Sequence, residues 1–302
     1  MFDVVQKFIN QPFCYIKITD NDLDYKIFKI GPTAFTELGI AGKEFTVVDC
    51  SQNYMEQSAI LAVGASMKHS KTPGLVLSPD PKISADLIKY FPIFGLHGMI
   101  SWNRDNIENQ RRWTWSCLNR NPRPHRILNW LAIKDLPSGV TSMHNLYHSD
   151  ISAYGQELND QWQNLAKTLP TECYNDLGIL HPAYQHAMIN VVTETDVANN
   201  IFISEKTWKP VASGQLFVII GCQGTVAYLR SQGVDVFDDI IDHSYDQESN
   251  WQKRLYAMHQ SFKSLLARDL DQIWNQTRAR RQLNVDNFFV GKFFNNYLYE
   301  IF

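Results

Sequence analysis

The stretch that decides the fold reads Phe202-Ile-Ser-Glu-Lys-Thr-Trp-Lys-Pro-Val-Ala-Ser-Gly214, and it runs into the apolar segment Leu216-Phe-Val-Ile-Ile-Gly221. Ser204 stands at a helix N-cap position. The run after Gln215 has strand length and no polar alternation, the pattern of a strand covered on both faces. A short helix feeding such a strand is the unit from which α/β domains are built. At these turns, side chains project into the crevice where ligands bind. Free N–H groups and the macrodipole make a helix N-terminus receptive to anions. Lys206 therefore suits a phosphate, and Glu205 suits a sugar or ribose hydroxyl.

Outward from this stretch, strand and helix patterns alternate along the chain, which argues for parallel sheets. Tyr25 to Ile30, Phe45 to Asp49, Gly74 to Ser78 and Gly95 to Ser101 read as strands. Between them, Ser51 to Lys68 and Ser84 to Phe91 read as helices with serine caps. A second series follows: strands Arg112 to Asn119, Val140 to Leu146, Ala187 to Thr193 and Leu216 to Gly221, with helices His125 to Lys134, Asp160 to Leu169 and Thr225 to Gln232. From about Asp246, apolar residues recur at helical spacing around Trp251, Leu255, Met258, Phe262 and Leu265. The expected architecture is α/β, two Rossmann-like domains facing a cleft with a helical C-terminal tail. The boundaries are 1–108, 109–270 and 271–302, the last segment packing back on the first domain. The polar stretch Asn103 to Gln110 is the hinge candidate.

The 302 residues are 44% apolar and 13% aromatic, ample for folded cores and unlike a disordered chain. No run of 18 uncharged apolar residues exists, so no membrane span is expected. The N-terminus carries an early acid and no long apolar core, so no signal peptide is read. Five scattered cysteines with no Cys-x-x-Cys pair argue against zinc and a disulfide framework and fit a reducing cytoplasm. A net charge of −3 does not indicate broad electrostatic binding to nucleic acid.

Basic residues are nonetheless clustered. Leu118-Asn-Arg-Asn-Pro-Arg-Pro-His-Arg126 follows an apolar strand directly. Its prolines keep the loop non-helical until a helix starts near Pro124, which presents Arg120, Arg123, His125 and Arg126 around one helix N-terminus. Guanidinium forks match phosphate oxygens. A solvated basic loop, or arginines tied to nearby acids, is the alternative. Gly221-Cys-Gln-Gly-Thr225 is another glycine-marked turn, for which a plain tight turn is the simpler reading. Phe237-Asp-Asp-Ile-Ile-Asp-His-Ser-Tyr-Asp246 matches no metal-ligand spacing, and its acids read better as caps of the next helix.

Asn119 to Arg126, Ile203-Ser-Glu-Lys-Thr-Trp-Lys-Pro210, Tyr228-Leu-Arg-Ser-Gln-Gly233 and Asp242-His-Ser-Tyr-Asp246, taken in this order, resemble a group of glycosyltransferases of phages and aquatic bacteria. The Glu205-Lys206 element is also similar to that of the α1,3-fucosyltransferases, in which a Thr-Glu-Lys segment opens a helix facing the nucleotide sugar. The resemblance covers about residues 112–246. It implies a metal-independent GT-B glycosyltransferase that uses a nucleotide-diphosphate sugar as donor and no cofactor. It places the donor among Asn119, Arg120, Arg123, His125, Arg126, Ser204, Glu205, Lys206 and Thr207. Arg120 or Arg123 together with Lys206 would hold the diphosphate. His243 departs from the pattern, where an acid is expected.

Arg123 would also serve catalysis, because positive groups aimed at the departing phosphate lower the barrier to glycosyl transfer. An inverting reaction further requires a base from across the cleft. Asp49, at a strand end, is the first candidate, with Asp80 and His97 as others. A glycan, a lipid-linked sugar or a modified DNA base are the acceptor classes, the last suggested by Arg278-Ala-Arg-Arg281 and by a phage origin, which would place the enzyme in host cytoplasm. The alternative to an enzyme is a non-catalytic nucleotide-binding or assembly protein that keeps the fold.

Overall fold

The computed structural model describes residues 14–17, 32–50, 57–78, 80–83, 85–102, 111–143, 151–167, 179, 181–199 and 201–294. The first half runs β1 (Cys14–Lys17), α1 (Pro32–Glu37), β2 (Thr46–Asp49), α2 (Gln57–His69), β3 (Gly74–Ser78), β4 (Ile88–Tyr90) and α3 (Ile93–Ser101). The second runs β5 (Trp113–Asn119), α4 (Pro124–Ile133), β6 (Gly139–Met143), α5 (Gln156–Ala166), α6 (Pro182–His186), β7 (Ala187–Thr193), α7 (Glu205–Ala212), β8 (Leu216–Ile220) and α8 (Thr225–Ser231). Helices α9 (Trp251–Leu266), α10 (Leu270–Gln276) and α11 (Arg278–Phe289) follow.

The strands form two parallel sheets. The first has the order β1-β2-β3-β4 and the second β6-β5-β7-β8. In the second sheet the chain starts in the interior at β5, steps outward to β6, then returns to the other side of β5 with β7. The order therefore reverses between β5 and β7, the place in an open α/β sheet where a binding crevice is expected beyond the strands' carboxyl ends. Every residue of β8 is buried, as its unbroken apolar run requires. In the first sheet, strand order follows sequence order among the described residues, so no such reversal occurs there.

Two expectations are corrected. Residues 88–90 form a strand, not the end of a helix. Ile88 and Tyr90 are buried around a half-exposed Lys89, a period of two, and Pro92 bars continuation. Residues 93–101 form a helix, not a strand. The apolar run suits either state on periodicity alone, and packing decides it. A Cβ on Gly95 would lie 2.4 Å from the Phe294 ring and 3.1 Å from Trp208 Nε1, so only glycine lets α3 sit this close. Helix α5 starts at Gln156, four residues earlier than expected, directly after Gly155. The expected strand 25–30, the Ser51 and Ser84 caps and the hinge 103–110 lie outside the described residues.

Helix α3 is the joint between the two halves. It packs against α7 and α11, and a single apolar core runs from Val47 and Leu77 of the first sheet through Leu96 to Trp115, Val191 and Phe217 of the second. Aromatic side chains at the carboxyl ends of the two sheets touch. Tyr90 meets Tyr228 edge-on at 5.9 Å between ring centroids, and Phe94 meets Phe202 at 5.6 Å. The crevice of the second sheet thus lies beside the first sheet's carboxyl edge. No described helix is long and apolar enough to cross a membrane.

Candidate functional site

Strand β5 ends at Asn119, where the side chain accepts a short hydrogen bond from Thr193 Oγ1 at the end of β7 and donates to Cys117 Sγ at 3.3 Å. Burial pushes the Cys117 thiol up to about 12, so it is an inert part of the floor. Arg120 is exposed on the loop that follows. Pro124 at the first position starts α4 without a donor of its own, and Arg123, at the N-cap, provides no side-chain cap. The N-terminus of α4 is therefore an uncapped dipole end opening on the crevice.

Arg126 gives this end its unusual character. It is 2% exposed, and its guanidinium reaches only neutral oxygens: Asn121 O at 3.2 Å, Glu194 O at 3.3 Å and Thr195 Oγ1 at 3.4 Å. Its Nε has no partner. Burial, then Arg123 beside it, lowers it to about 10, which still leaves it cationic at neutral pH. A buried guanidinium with long bonds and an unused donor is costly unless an anion completes it. Arg123 donates to Thr195 O at 2.9 Å and so anchors beside it.

His125 does something other than expected. It is turned inward, 5% exposed, with Nε2 at 2.8 Å from Glu194 O and its ring edge-on to Trp251. Burial, then Arg126, depresses it to about 3. It is a neutral strut that ties α4 to the end of β7, and it brings no charge to the crevice.

The second wall is the start of α7. Ser204 Oγ accepts from Lys206 N at 3.2 Å, the N-cap bond that the sequence implies. The same hydroxyl donates to Glu194 Oε2 at 2.7 Å, Thr207 Oγ1 donates to Glu194 Oε1 at 2.6 Å, and the Ser204 and Thr195 amides complete the set at 3.0 and 3.1 Å. Glu194, fully buried, therefore pins α7 to the end of β7. Sequence reasoning missed it. The available signal was an acid placed immediately after an apolar strand, and the strand's position beside the order reversal gives that signal its meaning.

Lys206 Nζ lies 2.8 Å from Glu205 Oε1, and the pair is about a fifth to a quarter exposed. Burial alone would raise the Glu205 carboxyl. Lys206, then Lys209, outweighs it and holds the group down at about 2. The two walls meet at Glu194, whose carboxylate holds Ser204 and Thr207 at the start of α7 and whose backbone carbonyl is bonded by His125 and Arg126 of α4. Arg123, Arg126, Glu205 and Lys206 are thus drawn from distant sequence positions to one crevice. Asn119, Ser204, Thr207 and His125 form its frame.

The glycine-marked turn is filled from within. Asp246 Oδ1 and Oδ2 accept from Val226 N at 3.1 Å and Ala227 N at 2.9 Å, and so cap α8. The acids were expected to cap the next helix. Asp246 instead caps the previous one, because its backbone carbonyl is clamped to Gly224 N, and Asn250 caps α9. His243 binds Val236 O at 2.8 Å and Tyr245 Oη at 3.1 Å, a packing role that an acid could not fill in this buried place.

On the first sheet, Asp49 ends β2 and accepts a short bond from the Tyr15 hydroxyl, which burial and Asp49 push up. Asp49 is 1% exposed and Asp80 fully buried, with Asp80 Oδ1 accepting from Lys82 N at 2.8 Å. His97 is exposed on α3, 3.5 Å from Ser101 Oγ. No three His, Cys, Asp or Glu side chains stand close enough to hold a metal among the described residues. Comparison with family models, with curated proteins and with solved structures finds no match to this chain.

Proposed function

We propose that the chain is a GT-B-type glycosyltransferase that binds the diphosphate of a nucleotide-sugar donor in the crevice between β5 and β7. One observation carries this reading: Arg126 is buried beside the uncapped N-terminus of α4 without a carboxylate partner. A diphosphate would supply the missing negative charge, with Arg120 and Arg123 on the α4 side and Lys206 on the α7 side. In that role Lys206 exchanges its bond to Glu205 for one to phosphate, which frees Glu205 for a sugar or ribose hydroxyl.

The transfer itself develops negative charge on the departing phosphate as the sugar becomes oxocarbenium-like. Fixed guanidinium groups and two helix N-termini oppose that charge without reorganising, because α4 and α7 are already pinned to Glu194. The acceptor hydroxyl loses its proton to a base from the first sheet. Asp49 takes this role, its carboxylate oriented by Tyr15. The reaction site is intracellular in this reading, and the acceptor is a glycan, a lipid-linked sugar or a modified DNA base.

A melting-temperature screen across UDP, GDP, CDP and ADP tests the reading. One diphosphate should raise the melting temperature, and the matching sugar nucleotide should be hydrolysed slowly without acceptor. Asp49→Asn should abolish turnover while that shift persists. Absence of a shift with every diphosphate would refute the donor site. Binding without hydrolysis, unchanged in Asp49→Asn, would identify a nucleotide-binding protein instead.

A further inference from the structure

One residue holds both walls of the crevice, and it does so with different atoms. The backbone carbonyl of Glu194 accepts from His125 Nε2 at 2.8 Å and from Arg126 Nη2 at 3.3 Å, both on α4. Its carboxylate serves α7. Oε1 accepts from Ser204 N at 3.0 Å and Thr207 Oγ1 at 2.6 Å, and Oε2 accepts from Ser204 Oγ at 2.7 Å. A change confined to this side chain therefore reaches α7 and leaves the α4 bonds in place.

The Ser204 hydroxyl carries the hold of the carboxylate one step further. A hydroxyl has one proton to give and two lone pairs that accept. Here the proton goes to Glu194 Oε2, and the lone pairs take Lys206 N at 3.2 Å and Lys206 Nζ at 3.4 Å. All three valences are used, so Glu194 sets the orientation of the hydroxyl. Lys206 Nζ also donates to Glu205 Oε1 at 2.8 Å. An ammonium has three N–H groups, and the third meets no partner among the described residues. The bond to Ser204 can thus persist while Lys206 leaves Glu205 for a phosphate.

We infer that Glu194 is a positioning residue, which holds the Lys206 ammonium through the Ser204 hydroxyl where it meets an anion in the crevice. This role rests on the donor-site reading and adds to it a group that touches no ligand. Charge alone predicts the reverse. A carboxylate close enough to temper Arg126 repels an anion bound there, so its loss should tighten binding. Positioning requires that its loss weaken binding, and that it do so through Lys206.

Glu194→Gln sets the two against one another with little change of shape. An amide nitrogen donates and cannot accept. Oε1 faces the Ser204 amide at 3.0 Å and Oε2 the Thr195 amide at 3.1 Å, so a nitrogen in either place opposes a backbone N–H. In the first place α7 loses its amide bond, and in the second the Ser204 hydroxyl loses its acceptor.

The test titrates the full chain with inorganic pyrophosphate by calorimetry, as a double-mutant cycle with Lys206→Ala. In the parent chain Lys206→Ala should weaken pyrophosphate about 10- to 100-fold. Glu194→Gln should itself weaken it about fivefold, and in that background Lys206→Ala should cost less than about threefold. Arg123→Ala should cost as much beside Glu194→Gln as in the parent, because α4 keeps its bonds, whereas a general loosening of the fold would lower both costs. If Glu194→Gln does not fold, Ser204→Ala removes the same link at about the cost of one helix cap and should suppress the Lys206→Ala effect equally. Tighter pyrophosphate binding by Glu194→Gln, or an undiminished cost of Lys206→Ala, would overturn the inference while the donor site stands. A parent chain that does not bind pyrophosphate would overturn both.

Discussion

Arg126 and Arg281 are the same residue under the same constraint at opposite edges of one sheet. Each is almost wholly buried and, among the described residues, bonds only to neutral oxygens and forms no ion pair. Their surroundings differ in sign. Arg126 sits among helix N-termini, with Glu194 and Glu205 close enough to temper it. Arg281 sits at a helix C-terminus with an aromatic ring and two further guanidinium groups. The first is a mixed-charge setting in which Arg126 makes long bonds beside the tightly bonded Glu194, and the second is a cluster of guanidinium groups around an aromatic ring. The difference teaches that a buried cation alone does not define a site. What surrounds it differs in kind: directed bonds to a carboxylate that organises two helix starts in one place, an aromatic face and neighbouring cations in the other.

The comparison breaks most readily at Glu194. Glu194→Ala strips four hydrogen bonds from a buried position and should cost about 3–5 kcal/mol, read by chemical denaturation. A loss under 1 kcal/mol would show that the crevice is not held by this carboxylate. Next in size, Lys206→Ala should weaken nucleoside-diphosphate binding about 10- to 100-fold, the worth of a charge-assisted bond, while Arg278→Glu leaves it unchanged. Equal losses in calorimetry would merge the two clusters into one electrostatic field.

Acid should affect the framework around Arg126 earlier. His125 is held neutral at about 3, and burial lowers His259 to about 4, against an ordinary value of 6.5. Above that value folded and unfolded chains are both neutral at these positions. Below it the unfolded chain takes up protons first, so stability falls as pH drops from 6.5 towards 3. The melting temperature should fall by about 5–10 °C between pH 6.5 and 4.5, and His125→Asn should flatten that slope. The smallest effect is expected at Asp246, whose replacement by alanine removes the α8 cap and should cost about 1 kcal/mol in denaturant unfolding.

Strands β7 and β8 were legible in the sequence because they are largely or wholly apolar and buried. Ala187 to Thr193 and Leu216 to Ile220 agree with their expected spans nearly residue for residue. Residues 84–101 were misread because two short apolar runs carry no deciding period, and the aromatic groups of α7 and of residues 288–294 settle which of them is helical. The meeting of His125 and Arg126 with Ser204 and Thr207 at Glu194 follows from strand ends that the sequence located. Inward-facing groups were not legible, since a histidine or an acid in a loop carries no mark of which way it points. His125 and Glu194 are both of this kind. A cavity at the amino edge of the second sheet joins Arg111 to residues 274–285, a pairing across more than 160 positions that no local pattern encodes.

The seat of Gly95 on Phe294 and Trp208 has a consequence for the order in which the protein is completed during synthesis. Trp208 meets Phe288, Phe293 and Phe294 at ring-centroid distances of 5.9, 6.2 and 5.0 Å. All three aromatics leave the ribosome after both sheets have been translated. Until they arrive, the hollow at Gly95 stays open and the indole of Trp208 lacks these three ring contacts. A nascent chain halted before residue 288 would therefore expose a greasy seam to chaperones, and the joint between the two sheets closes only once residues 288–294 have packed onto it.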